Sequence, residues 1–120
     1  MTDTKTTKNY ILLIDDDRDY SFVWQDLPKV IEKHKPSEFL IARTSFEAIE
    51  IVKQHGIPCF VFLDHDLGIV NGQIDTTMNF VNYMVYELDT FPEYLIHSQN
   101  TVGVPNLISK IESFHKSKEL

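Results

Sequence analysis

The chain has 120 residues, 42% of them hydrophobic and 24% charged, with a formal charge of −7. That length suits one domain with a real core; the balance excludes disorder and fibrous repeats, and the negative charge argues against a protein built to grip a nucleic-acid backbone. No apolar run approaches a membrane span, no signal-peptide core lies in the polar start Met1 to Asn9, and a single Cys59 gives neither a disulfide framework nor a cysteine zinc site, so a reducing cytoplasm and no membrane are expected.

Residues 1–8 read as a flexible tail and 9–120 as a single domain. Tyr10 to Ile14 is an unbroken apolar run, the first strand, and it ends in Asp15-Asp16-Asp17. A helical region from about Asp19 to His34 follows, with Phe22, Val23, Leu27, Val30 and Ile31 as its buried stripe and Trp24 as packing. Pro28 should kink it or divide it into two short helices. Glu38 to Ala42 is the second strand. Thr44 or Ser45 then caps a helix with Glu47 in its first turn, Phe46, Ala48, Ile49 and Val52 on its apolar face, and Gly56 at its end.

Phe60 to Leu63 is a third apolar run, suited to a strand covered on both faces, and it breaks abruptly into Asp64-His65-Asp66-Leu67-Gly68. A long loop is expected from His65 to Asp75, then a helix from near Asp75 or Thr76 that buries Phe80, Val81, Met84, Val85 and Leu88. Tyr94 to Ser98 is a fourth short strand, and Pro105 opens a last helix with Leu107, Ile108, Ile111 and Phe114 on its apolar face. Strand and helix thus alternate four times, the pattern of a doubly wound α/β domain whose parallel sheet takes the order 2-1-3-4.

In such sheets ligands bind beyond the carboxyl ends of the strands. The order makes the first and third strands neighbours, so Asp15, Asp16 and Asp64 converge. Three carboxylates this close repel one another, and a hard divalent cation, Mg²⁺ or Mn²⁺, is the natural remedy. The end of the fourth strand brings His97, Ser98 and Asn100 to the same rim. Ser98 and Asn100 offer donors to phosphate oxygens, and His97 and His65 can move protons near neutral pH. Arg18 is placed to pair with phosphate or with Asp17.

At these residues a resemblance becomes visible. Leu12-Leu13-Ile14-Asp15-Asp16 and Leu63-Asp64 resemble the acidic pair and phosphoacceptor aspartate of receiver domains from two-component response regulators, with Gly72 and Ser98 at matching places. The flavodoxin-like receiver fold has a fifth strand bearing a lysine, for which this chain offers no counterpart after its fourth helix, so a truncated receiver is expected. Leu63-Asp64-His65-Asp66-Leu67-Gly68 and His97-Ser98-Gln99-Asn100 resemble instead a divergent branch, the cyclic-phosphate-processing receiver-like domains. Asp15-Asp16-Asp17-Arg18, Val102-Gly103 and Asn106-Leu107 also resemble that branch, whereas Thr101 and Val104 depart from its usual proline and basic residue.

Three functions stand side by side. The branch resemblance implies metal-dependent opening or hydrolysis of a cyclic phosphate, on a nucleotide or an RNA end, with Asp64 as metal ligand or nucleophile and His97 or His65 as general acid or base. The wider resemblance implies a receiver phosphorylated on Asp64. A module that binds a phosphorylated ligand without turnover is the third. With no fifth strand, the fourth becomes an edge, and self-association along it, or its cover by the N-terminal tail or another chain, is expected.

Overall fold

The computed structural model describes residues 7–64, 66–97 and 103–118. Four parallel strands form the main sheet: β1 (Tyr10–Ile14), β2 (Glu38–Ala42), β3 (Phe60–Leu63) and β6 (Glu93–Ile96), in the order β2-β1-β3-β6. The main helices are α1 (Leu27–His34), α2 (Ser45–His55), α3 (Met78–Asn82), which runs on as a π-helical segment over Tyr83–Glu87, and α4 (Gly103–Lys118). Among the described residues no helix is long and apolar enough to cross a membrane.

The expected order 2-1-3-4 needs one correction. The segment read as a loop from His65 to Asp75 contains an antiparallel hairpin, β4 (Asp66–Val70) with β5 (Gln73–Thr76), so the fourth strand of the sheet is the sixth of the chain. The signal was present: Asn71-Gly72, with both residues at positive φ, 52° and 79°, suits a tight two-residue hairpin turn. Asp75 consequently lies in β5 and not at a helix start, and α3 begins two residues after Thr76. Asp75 is buried, and its carboxylate accepts from the Ser45 backbone N–H (2.7 Å), the Ser45 hydroxyl (2.5 Å) and the Asn79 amide (3.1 Å). One acid thus ties the hairpin to the first turn of α2, whose N-terminal dipole favours negative charge, and to α3.

Every residue of β1 and β3 is buried, as unbroken apolar runs between two covered faces require. Their side chains alternate between two cores. Tyr10, Leu12, Ile14, Val61 and Leu63 pack with Ala48 and Val52 of α2, Phe80 and Val81 of α3, and Leu107 and Ile111 of α4. Ile11, Leu13, Phe60 and Phe62 pack with Val23 and with Val30 of α1.

The expected helix over Asp19 to His34 divides at the proline into a 3-10 turn, Tyr20–Val23, and α1, with Pro28 in its first turn, where no N–H is missed. Of its predicted stripe, Val23 and Val30 are buried, whereas Phe22 and Ile31 are exposed, as is Trp24, read from sequence as packing. The division resets the helical phase, so a single 3.6-residue stripe cannot hold across it. Phe46 and Ile108 are likewise exposed. Thr44 caps α2 by accepting from the Glu47 N–H (2.9 Å), and the Gly56 N–H closes its far end on the Val52 carbonyl. At the chain start Thr7 bridges Ile57 in parallel and the Lys8 N–H donates to the Ile57 carbonyl (2.7 Å), so these last two residues of the expected tail run beside the approach to β3 and not along β6.

Two outcomes follow from this architecture. Asp75→Ala removes three hydrogen bonds to one buried charge and should cost about 1.5–3 kcal/mol, read by urea unfolding. β6 forms one edge of the sheet, so association should rise with concentration in sedimentation; a chain that stays monomeric throughout would rule out pairing through this edge.

Candidate functional site

Parallel pairing carries on for one residue past the strands. The Asp15 N–H donates to the Ala42 carbonyl (3.0 Å), the Asp64 N–H to Ile14 (3.0 Å) and the His97 N–H to Leu63 (2.9 Å). Since Ile14, Leu63 and Ile96 are themselves in register, Asp15, Asp64 and His97 form the next row across β1, β3 and β6. Ile14 and Leu63 face α2, α3 and α4, so strand alternation turns this row toward the face covered by α1. The row also lies where the chain reverses direction across the sheet, outward from β1 to β2 and then back past β1 to β3. That switch point is the customary ligand crevice of open α/β sheets.

Asp15 is fully buried and His97 nearly so, and the imidazole Nε2 lies 2.9 Å from Asp15 Oδ2. Asp15 Oδ1 accepts from the Asp17 N–H (3.1 Å) and the Arg18 N–H (3.0 Å). Burial alone would raise the pKa of Asp15, but the Asp17 N–H, His97 and the Arg18 N–H together favour the carboxylate and bring it below the ordinary value. The other ring nitrogen of His97, Nδ1, is buried and has no hydrogen-bond partner among the described residues. Asp64 is only 9% exposed, and its carbonyl accepts from the buried Thr77 hydroxyl, which fixes the entry to α3 against the end of β3.

One ligand atom each from Asp15, Asp64 and His97 lies within 4.8 Å of the others, and a second such set comprises Asp15, Asp16 and Asp17. Asp16 is exposed, and its Oδ2 lies 3.5 Å from where a side chain on Gly68 would begin. The hairpin strand β4 therefore walls the acidic rim. Gly68 has φ +81°, so any larger residue there would be strained as well as close to Asp16.

The Arg18 guanidinium sits over the Phe22 ring, 4.0 Å from its centroid, instead of against Asp17. Phe22 in turn meets the His97 ring edge-to-face, with centroids 5.5 Å apart. Asp19, the expected start of the helical region, caps the 3-10 turn through Ser21. His65, Ser98 and Asn100 lie outside the described residues. Sequence reading missed three participants. Phe22 was assigned to the core. Arg43 donates to the Asp15 carbonyl (3.3 Å) and the Arg18 carbonyl (2.5 Å), holding the acidic loop to the end of β2. Thr77 gave no signal, because its partner is a backbone carbonyl.

The Asp15–His97 contact should appear as energetic coupling. In a double-mutant cycle of Asp15→Ala and His97→Ala, chemical unfolding should give an interaction of about 0.5–3 kcal/mol. Strictly additive losses would show that the contact does not stabilise the fold.

Comparison with known proteins agrees with the fold. A solved chimeric chain, described as a yeast Spc42 trimeric coiled-coil segment (amino acids 181–211) fused to another structure, superposes with a TM-score of 0.51 at 19% identity. The alignment covers 89% of this chain and 62% of that one, a likeness of fold alone. No match was found among curated proteins. The family model described as the cyclic-phosphate processing receiver domain matches residues 10–113, so the chain belongs to that family of receiver domains.

Proposed function

We propose that this domain opens or hydrolyses a cyclic phosphate, carried by a nucleotide or an RNA end, with the help of a divalent cation, Mg²⁺ or Mn²⁺. The observation that supports this most is the row of Asp15, Asp64 and His97, whose ligand atoms lie within 4.8 Å of one another at the carboxyl end of a parallel sheet. The residues fit a cation on the chemistry of the donor set. Two carboxylates held this near repel unless a positive charge lies between them, and the buried His97 Nδ1 has no hydrogen-bond partner among the described residues. Asp15, Asp16 and Asp64 would hold the ion. Bound there, it would offset negative charge on the phosphoryl oxygens and polarise phosphorus toward attack.

The remaining work falls to the chain. Asp15 accepts from His97 and fixes its ring, so His97 holds a proton close to the reacting ester; His65 is the second group for that role. The ester oxygen that leaves a cyclic ribose phosphate is a poor leaving group, so a proton delivered to it lowers the barrier. Arg18, Ser98 and Asn100 bind the phosphate oxygens, Arg18 with its planar donor fork. A second reading, a receiver phosphorylated on Asp64, is favoured by the position of that acid at the end of β3 beside the acid that follows β1. A binding module without turnover is the third.

Steady-state turnover of nucleoside 2′,3′-cyclic phosphates with Mg²⁺ or Mn²⁺ tests the reading. His97→Ala should lower turnover by about 10²–10⁴-fold. Stable labelling of Asp64 by acetyl phosphate, seen as intact mass, with no cyclic-phosphate turnover would favour the receiver. If neither activity appears and both histidines are replaceable without loss of ligand affinity, only the binding module remains. The cation has its own measurement: Mg²⁺ or Mn²⁺ should raise the melting temperature by mass action. Asp64→Asn should stabilise the metal-free chain modestly and abolish that rise. Millimolar cation that leaves both melting and the aspartate chemical shifts unchanged would exclude the metal.

A further inference from the structure

We propose that Phe22 is a positioning residue of this site, holding the Arg18 guanidinium in the orientation that receives a phosphate. The inference rests on the reading of the rim as a phosphate site. It does not depend on whether the phosphate is turned over.

The 3-10 turn that carries Phe22 is anchored without it. The Tyr20 hydroxyl reaches the Ile11 and Leu40 carbonyls at 2.9 and 2.7 Å, Asp19 caps the turn, and Val23 is buried in the core on that face. Phe22 itself is 43% exposed. Among the described residues its ring makes two specific contacts, both with polar side chains of the site: Arg18 lies over it and His97 meets it edge-to-face. A phenyl ring spent this way contributes little to the core and much to the placement of its neighbours.

Arg18 needs such a support. Its backbone is fixed at both ends, the N–H on Asp15 Oδ1 and the carbonyl on Arg43. Its side chain is long, and among the described residues its guanidinium forms no ion pair, although Asp16 and Asp17 precede it directly. A guanidinium held over an aromatic face does not use its N–H donors on that ring, so they stay available to an oxyanion. The stack also preorganises a side chain that would otherwise lose much rotamer freedom on binding. The same ring braces the His97 imidazole, so one residue sets the direction of the phosphate-binding cation and of the proton-bearing ring together.

The experiment uses inorganic phosphate as probe, titrated into the full chain and followed through the Arg18 Nε–H signal. Phe22→Leu should weaken phosphate binding by about 3- to 10-fold, with melting close to that of the unaltered chain and a moved His97 ring-proton shift from loss of the ring current. Phe22→Tyr keeps an aromatic face and should retain the affinity. In an Arg18→Gln background Phe22→Leu should cost nothing further, which keeps the test decisive even if Phe22→Leu lowers stability. Unaltered affinity in Phe22→Leu, equal loss in Phe22→Tyr, additive losses with Arg18→Gln, or no phosphate binding by the unaltered chain would each overturn the proposal. Phosphate binding that behaves as expected while cyclic phosphates are not turned over would instead overturn the proposed reaction and leave this role of Phe22 standing.

Discussion

The site depends on the register of three parallel strands. β1, β3 and β6 each end at the same level, and each passes one further N–H bond to its neighbour before the chain turns away. That extra rung places Asp15, Asp64 and His97 side by side. A slip of one residue in any strand would turn its rim residue to the opposite face of the sheet. Buried apolar side chains on both faces hold the register, so the core and the site are fixed by one set of contacts.

Within the row, Asp15 carries the heaviest constraint. A fully buried carboxylate is costly to desolvate unless its oxygens are satisfied. Here two backbone N–H groups and one imidazole satisfy them, and the two N–H donors come from the very loop, Asp17 and Arg18, that the acid leads into. The carboxylate thereby shapes the turn that presents Asp16 and Arg18. Arg43 closes the same turn from outside by binding its carbonyls. A buried acid and a basic side chain from β2's end together hold this run of charged residues in a defined turn.

The hairpin β4–β5 is the second wall. It is too short to stand alone, since a lone two-stranded ribbon is marginal in water. Asp75 joins it to α2 and α3, and Thr77 joins the following turn to the carbonyl of Asp64. Gly68 then lets β4 pass close to Asp16. Ile69 and Ile74, paired across the hairpin, remain exposed. The hairpin is thus held by polar contacts at its base and by one core side chain, Leu67 of β4, while the rest of it borders a polar rim.

The four strands of the main sheet, their parallel arrangement and their neighbours are legible in the sequence, because unbroken apolar runs and alternating helices leave few topologies that bury them. The acids at Asp15 and Asp64 are legible for the same reason: each follows directly on such a run, and the run ends where the sheet ends; His97 was read within a strand from Tyr94 to Ser98, which in the structure spans Glu93–Ile96 and leaves His97 just past its end. The hairpin was overlooked although Asn71-Gly72 marks its turn, since its strands alternate weakly and bury little. Tertiary structure alone decided the contacts that join distant segments. Asp15 and His97 are 82 positions apart, and which of several acids takes the imidazole depends on strand register. Phe22 looks like a core residue in sequence because its hydrophobicity says only that it prefers contact. Whether that contact is a core or a guanidinium and an imidazole is set by where the helix breaks before Pro28 and by what the folded rim brings against the ring.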